Sequence, residues 1–97
     1  MNYRIETVSS RIKRELLRIP PLDRQRIAEA VQTLADDPRP PGVKQLELSV
    51  YRLRVGDYRV IYKVFDDEKV ILIGRVARRS ESTYRGSRRL FEPGRSE

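Results

Sequence analysis

The apolar positions in the first third of the chain recur at helical spacing and predict two short helices. These positions are Ile12, Leu16 and Ile19 in the first helix, and Ile27, Ala30, Val31, Leu34 and Ala35 in the second. Ser9 or Ser10 is suited to cap the first helix. Pro20-Pro21 ends that helix and opens the next, because proline fits the first helical turn. A loosely alternating stretch at residues 3–8 predicts a strand ahead of this αα-hairpin.

From Val50 the apolar period changes from helical spacing to two, which predicts a β-hairpin. Gly56-Asp57 supplies a two-residue turn, because glycine accepts the positive φ that such turns require. The turn pairs Val55 with Tyr58 and makes one face continuously apolar. That face contains Tyr51, Leu53, Val55, Tyr58, Val60, Tyr62 and Val64. We expect it to cover the helices, and we interpret its tyrosines as core residues, not as a platform for stacking bases.

The remaining segments complete a small α+β domain over residues 1–86. Residues 36–43, DDPRPPGV, exclude regular structure, whereas VILIGRV after the turn DDEK is typical of a well-covered strand. ARRSESTYRG is suited to a short helix or turn, and residues 87–97 are expected to be a mobile tail. The predicted order is therefore β-α-α-β-β-β, an antiparallel meander with two helices packed on one face.

The hairpin register places like charges opposite one another. Arg54 faces Arg59 across the strands, and Arg52 is next along, an arrangement that costs about 0.2–1 kcal/mol per contact. If Val64 pairs with Val70, Arg75 lies beside Arg59 on the same face of the sheet. A one-residue shift of this register would place Arg75 on the opposite face. Long arginine side chains can splay into water, but several on one face favour an anion site. Arginine keeps its charge and binds phosphate bidentately.

The amino-acid composition favours a polyanionic partner and excludes several kinds of catalytic chemistry. The 97 residues carry a net charge of +7, so nucleic acid is the first candidate, with solvated charge or an acidic protein partner as the alternatives. The chain has no cysteine and no histidine, which excludes thiolate and imidazole chemistry and a Cys/His zinc site. We expect neither a metal nor a cofactor. No apolar run approaches a membrane span, and the first residues lack a secretory signal, so we expect a cytoplasmic protein.

Three segments resemble the RelE/ParE superfamily of bacterial toxins, RelE-type branch. They are DPRPPGVKQL, YRLRVGDYRVIY and ILIGRVARRSESTYR, and the resemblance spans residues 3–86. It implies the toxin of a type II toxin–antitoxin system, a ribosome-dependent endoribonuclease that cuts mRNA and is silenced by an antitoxin. ParE-type members share the fold but poison DNA gyrase and lack the catalytic set. A third reading is a basic module whose only partner is its antitoxin.

The resemblance also implies roles for individual residues. Arg59 and Arg79 would stabilise charge on the scissile phosphate, while Arg52 and Arg54 would hold the backbone and neutralise the anion. Tyr84 would stack on a base or assist proton transfer. The nucleophile would be the RNA's own 2′-hydroxyl group, so no catalytic histidine or cysteine is required.

Further residues are candidates for binding phosphate or for acting as the general base. Arg75 and Arg78 are further candidates for binding phosphate. Some relatives carry lysine at the position of Arg54 or histidine at the position of Ala77, and either can exchange a proton that arginine cannot. Glu47 and Glu81 are the carboxylates nearest the hairpin and the terminal motif. Each is a candidate general base, and the alternative is that each is an ordinary surface residue.

Overall fold

A computed structural model describes residues 2–78 and Phe91, and within them it contains one mixed five-stranded sheet with two helices. The elements are β1 (Arg4–Thr7), α1 (Arg11–Leu17), α2 (Pro21–Leu34), β2 (Lys44–Glu47), β3 (Val50–Val55), β4 (Tyr58–Phe65) and β5 (Val70–Arg78). The strand order across the sheet is β1-β5-β4-β3-β2. The predicted α+β class and the helical hairpin are confirmed, and α2 begins at Pro21 as expected.

Two features of the sheet depart from the predicted meander. β2 follows the irregular residues 36–43 and was not predicted, because four residues hold too little alternation to mark a strand. β1 pairs with β5 in parallel, with Arg4 opposite Val70, whereas all other neighbours are antiparallel. The predicted terminal helix or turn lies outside the described residues. So does the predicted tail 87–97, except for Phe91.

The core lies between the helices and one face of the sheet. Its most completely buried members are Ile12, Ile27, Leu34, Val60, Tyr62 and Ile71. The predicted apolar face and the interpretation of its tyrosines are confirmed. Tyr62 is fully buried and donates a 2.7 Å hydrogen bond to the carbonyl of Pro38, and its ring stacks on Tyr51 with centroids 5.7 Å apart.

A β-bulge in β5 changes which side chains face the helices. Ile61 pairs with Arg75 and Tyr62 with Ile73, so Gly74 is the extra residue. Residues Ile71 and Ile73 face the core before the bulge, and Val76 faces it afterwards. Of the two registers that the sequence left open, the structure has the one shifted by a residue, because Val64 pairs with Ile71 and not with Val70. The bulge nevertheless turns Arg75 to the side of the sheet away from the helices.

Side chains of α1 occupy the edge of β5 that β1 leaves open beyond Ile73. Arg11 donates a 3.0 Å hydrogen bond to the carbonyl of Gly74, and the backbone N–H of Val76 donates one of 2.8 Å to Oε1 of Glu15. Oε2 of Glu15 accepts from Arg11 at 2.7 Å. These contacts satisfy backbone groups at the bulge that would otherwise lack a strand partner.

A second polar cluster ties the turn between β4 and β5 to the irregular segment before β2. Asp66 accepts hydrogen bonds from the hydroxyl of Tyr3 at 2.6 Å and from Arg39 at 2.7 Å. Arg39 also donates to the hydroxyl of Tyr51 at 2.9 Å. The hydrogen bond from Arg39, followed by that from Tyr3, lowers the pKa of Asp66. The proline-rich segment is thereby held against the sheet.

We predict that Glu15→Ala lowers the free energy of unfolding by about 1–3 kcal/mol, because it leaves the N–H of Val76 and Nη1 of Arg11 without their acceptor. Urea denaturation measures this directly. Glu15→Gln keeps an acceptor for Val76 and should lose less. Glu29→Ala, at an exposed carboxylate on α2, is the matched control and should change stability by no more than about 0.5 kcal/mol. Equal effects of Glu15→Ala and Glu29→Ala would contradict this account of the bulge.

We predict that Asp66 contributes to stability in a pH-dependent way. Its pKa in the folded protein is below the ordinary value of 3.8, so its contribution is complete above pH 3.8 and is lost as the pH falls through the lower, folded pKa. Thermal unfolding from pH 6 down to about pH 2 should show the difference between the wild type and Asp66→Asn shrinking with acid. Tyr3→Phe, which removes one donor, should give an intermediate result. A pH-independent difference would refute the assignment.

Candidate nucleic-acid interface

Four arginines share the side of the sheet that faces away from the helices. We call this the arginine face, and it comprises Arg52, Arg54, Arg59 and Arg75. Arg54 pairs directly with Arg59, as the hairpin register predicted. Arg52 and Arg75 flank Ile61 from the two neighbouring strands. The four positions therefore occupy two adjacent rows that cross β3, β4 and β5.

The spacing of these rows suits a phosphate backbone. Neighbouring strands lie about 4.8 Å apart, and residues two apart on one strand are separated by about 7 Å. Arg54 is exposed, whereas Arg52, Arg59 and Arg75 are half-buried. Partial burial limits the freedom of a guanidinium and strengthens its electrostatic interactions. A rigid group of this kind can be aimed at one phosphate, whereas a flexible surface lysine supplies only a diffuse field.

Two lysines that the sequence analysis did not single out lie on the same side of the sheet. Lys44 on β2 pairs with Arg52, and Lys63 on β4 pairs with Val50. Alternation along β4 already indicated the side that Lys63 occupies. Lys44 lies in the strand that was not predicted, so no signal placed it. Together they extend the positive surface from β2 to β5.

Arg78 and Glu47 are positioned apart from the arginine face. Arg78 pairs with Tyr58, whose side chain is in the core, and its guanidinium carbon lies 5.5 Å from the centroid of that ring. The structure therefore places Arg78 on the helix side, because the bulge reverses the alternation of β5. Glu47 pairs with Val50, about 13 Å along β3 from Arg54. It is too distant to exchange a proton at a phosphate held by the Arg54–Arg59 pair.

The remaining predicted site residues, Arg79, Glu81 and Tyr84, lie outside the described residues. Among residues 2–78 and Phe91, the structure has no cluster of three or more acidic side chains positioned to hold a metal ion. In the same part of the chain, neither helix is long and apolar enough to cross a membrane.

Several solved structures share this architecture, and two of them are toxin–antitoxin complexes, one archaeal and one bacterial. The chain superposes on the archaeal RelE–RelB complex from Pyrococcus horikoshii with a TM-score of 0.72 and 29% identity, covering 84% of this chain and 100% of that one. A doubly substituted Escherichia coli RelE toxin in the free state gives a TM-score of 0.74 at 21% identity, covering 90% and 94%. The second match supports the fold alone.

Sequence comparisons agree with the structural ones. A protein of Methanocaldococcus jannaschii that carries the name toxin RelE1 is 33% identical over 90 residues, covering 88% of this chain and 98% of the relative. Residues 8–83 match the family model described as ParE toxin of type II toxin-antitoxin system, parDE. The chain therefore belongs to the RelE/ParE superfamily, the toxins of type II toxin–antitoxin systems.

Proposed function

We propose that this toxin is a RelE-type mRNA interferase, which binds the backbone of a message on its arginine face and cleaves it on the ribosome. The observation that carries the proposal is the direct pairing of Arg54 with Arg59, flanked by Arg52 and Arg75 in the next row. Like charges in register destabilise a sheet. A bound polyanion that contacts both arginines would relieve this repulsion, and the relief would add to the free energy of binding.

The proposed reaction uses the substrate's own nucleophile. The 2′-oxygen of one ribose attacks the adjacent phosphorus, the bond from phosphorus to the 5′-oxygen of the next nucleotide breaks, and a 2′,3′-cyclic phosphate and a 5′-hydroxyl result. The proton leaves the 2′-hydroxyl and a proton is delivered to the departing 5′-oxygen. Negative charge accumulates on the phosphorane between these events. Arg59, with Arg54 across the strand, would stabilise that charge.

The proposed site offers few groups that could transfer a proton. Guanidinium groups stay protonated and do not act as bases, the chain has no histidine, and Glu47 is remote from the Arg54–Arg59 pair. Glu81 and Tyr84 remain candidates outside the described residues. Without a strong base, the rate depends on alignment of the 2′-oxygen with the phosphorus. We propose that the ribosome supplies this alignment and that no metal ion takes part.

The second proposed partner is an antitoxin. Solved relatives from Pyrococcus horikoshii and Mycobacterium tuberculosis are toxin–antitoxin complexes, and the net charge of +7 suits an acidic segment that competes with RNA. We further propose that the protein acts in the cytoplasm, where its message and ribosome are found.

A gyrase inhibitor is the competing function, because the matching family model is named for ParE. Such a protein would bind its target without cleaving RNA. Primer extension on messages after brief induction separates the two. Cuts in phase with codons support the interferase, whereas intact messages with relaxed or broken DNA support the gyrase inhibitor. Intact messages and intact DNA would leave a basic module that binds its antitoxin.

We predict that Arg59→Ala lowers message cleavage by about 100-fold or more, because it removes a donor to the phosphorane. Growth arrest should be lost as well. The measurements are primer extension after induction and single-turnover cleavage of ribosome-bound message. Lys13→Ala, an exposed cation on α1, is the control and should retain wild-type activity. Cleavage at the wild-type rate by a folded Arg59→Ala variant would exclude the proposed role.

We predict that Arg54→Thr stabilises the fold while weakening RNA binding. Removing the repulsion should raise the free energy of unfolding by about 0.2–1 kcal/mol in low salt. The gain should disappear in about 1 M salt, where the Debye length is near 3 Å. The slope of log K against log salt for single-stranded RNA should fall by about 0.7, the value for one lost phosphate contact. A variant that is less stable in low salt would contradict the repulsion.

A further inference from the structure

A pocket on the helix side of the sheet has no role in the function proposed above. It lies beyond the end of β1, between the last turn of α1 and the end of β5. Its lining includes Glu15, Arg18, Ile19, Tyr58, Val76 and Arg78. Its volume is about 160 Å³, comparable to the engineered cavity of about 150 Å³ that binds benzene in another protein. A ligand with one ring or one branched alkyl group therefore fits it.

Tyr58 brings a hydroxyl group without a hydrogen bond to the wall of this pocket. The residue is only 6% exposed, and within the described part of the chain no group forms a hydrogen bond with its hydroxyl. The buried Tyr62, by contrast, donates to the carbonyl of Pro38. Buried polar groups nearly always have a partner. The hydroxyl of Tyr58 therefore indicates that a ligand of the pocket supplies one.

The charged groups around the pocket favour an anion. Arg18 and Arg78 are exposed at its rim, and neither forms an ion pair within residues 2–78. The guanidinium carbon of Arg78 lies 5.5 Å from the centroid of the Tyr58 ring, and such stacking leaves the in-plane N–H groups available. Glu15 contributes a carboxylate, but both of its oxygens already accept hydrogen bonds at the bulge.

The end of α1 beside the pocket does not oppose an anion. The last carbonyl groups of a helix carry partial negative charge. Here Arg24 donates to the carbonyl of Leu16 at 3.1 Å and to that of Ile19 at 2.9 Å. Because Ile19 belongs to the lining, a guanidinium offsets the negative end of the helix at the wall of the pocket itself.

We propose that this pocket binds a carboxylate that carries an apolar group. The groups named above that remain for a ligand, two guanidinium groups and one hydroxyl, can all donate, and they match a ligand that only accepts. A planar carboxylate binds the fork of Arg78 bidentately. The ring or branched chain next to it packs against Ile19 and Val76, which removes apolar surface from water. The ligand is either a small free carboxylate or the last residue of a peptide.

This binding is separate from the proposed cleavage of RNA, because the groups assigned to the ligand do not belong to the arginine face. Arg59→Ala, which tests that face, should leave binding of a carboxylate in the pocket unchanged. Failure of one proposal therefore does not imply failure of the other.

Titration of the isotope-labelled full chain with benzoate, followed through backbone amide shifts in NMR spectra, tests the site. Benzoate supplies the ring and the carboxylate, benzamide only the ring, and acetate only the carboxylate. We expect benzoate to bind with a dissociation constant of about 1 mM and to shift the amide signals of Val76 and Arg78. It should bind at least about tenfold more tightly than benzamide or acetate.

Variants of the lining identify the groups that bind. Tyr58→Phe removes only the hydroxyl and should weaken benzoate binding about tenfold, as should Arg18→Ala and Arg78→Ala. Arg78→Lys, which keeps the charge but not the planar fork, should recover only part of the loss. Arg14→Ala removes an exposed arginine of α1 outside the pocket, so it is the matched control and should bind like the wild type. Thermal unfolding checks that each variant is folded.

A short peptide that ends in leucine, with a free or an amidated C-terminus, distinguishes the two sources of the carboxylate. Tighter binding of the free-acid peptide than of benzoate assigns the pocket to a chain terminus, and weaker binding assigns it to a small free carboxylate. Absence of saturable binding by both, or unchanged affinity in folded Tyr58→Phe and Arg78→Ala, overturns the inference. Equally tight binding of inorganic phosphate, or displacement of benzoate by single-stranded RNA, would also contradict it.

Discussion

The bulge at Gly74 is the constraint on which the rest of this structure depends. It reverses the alternation of β5 midway, so that Ile73 and Val76 both reach the core although they are three residues apart. Without the extra residue, Arg75 would point into the apolar layer. The contacts from Arg11 and Glu15 to the bulge are therefore as important to the proposed site as the arginines themselves. Contacts from α1 at the edge of β5 thus support the register that presents Arg75 on the arginine face.

The arginine face illustrates a conflict between stability and binding. A directly opposed pair of arginines is unfavourable in the absence of an anion, and the burial of core residues such as Val60 and Tyr62 on the other side of β4 offsets this cost. Ion pairs between opposite charges occur in other parts of the fold, between Arg39 and Asp66 and between Arg11 and Glu15. The proposed compensation for the like-charged pair is the binding of an anion.

The sequence by itself determined the local structure: the helical hairpin at Pro20-Pro21, and the turn at Gly56-Asp57 with the pairing of Arg54 and Arg59. These features depend on spacing within a few residues, which periodicity and turn chemistry report directly. The tertiary structure decided the parallel position of β1, the short strand that carries Lys44, and the sides on which Arg75 and Arg78 emerge. A glycine within an apolar run is compatible with a regular strand or a bulge. The choice between them was made by distant groups, α1 at one edge of β5 and β4 at the other, whose contacts no local pattern records.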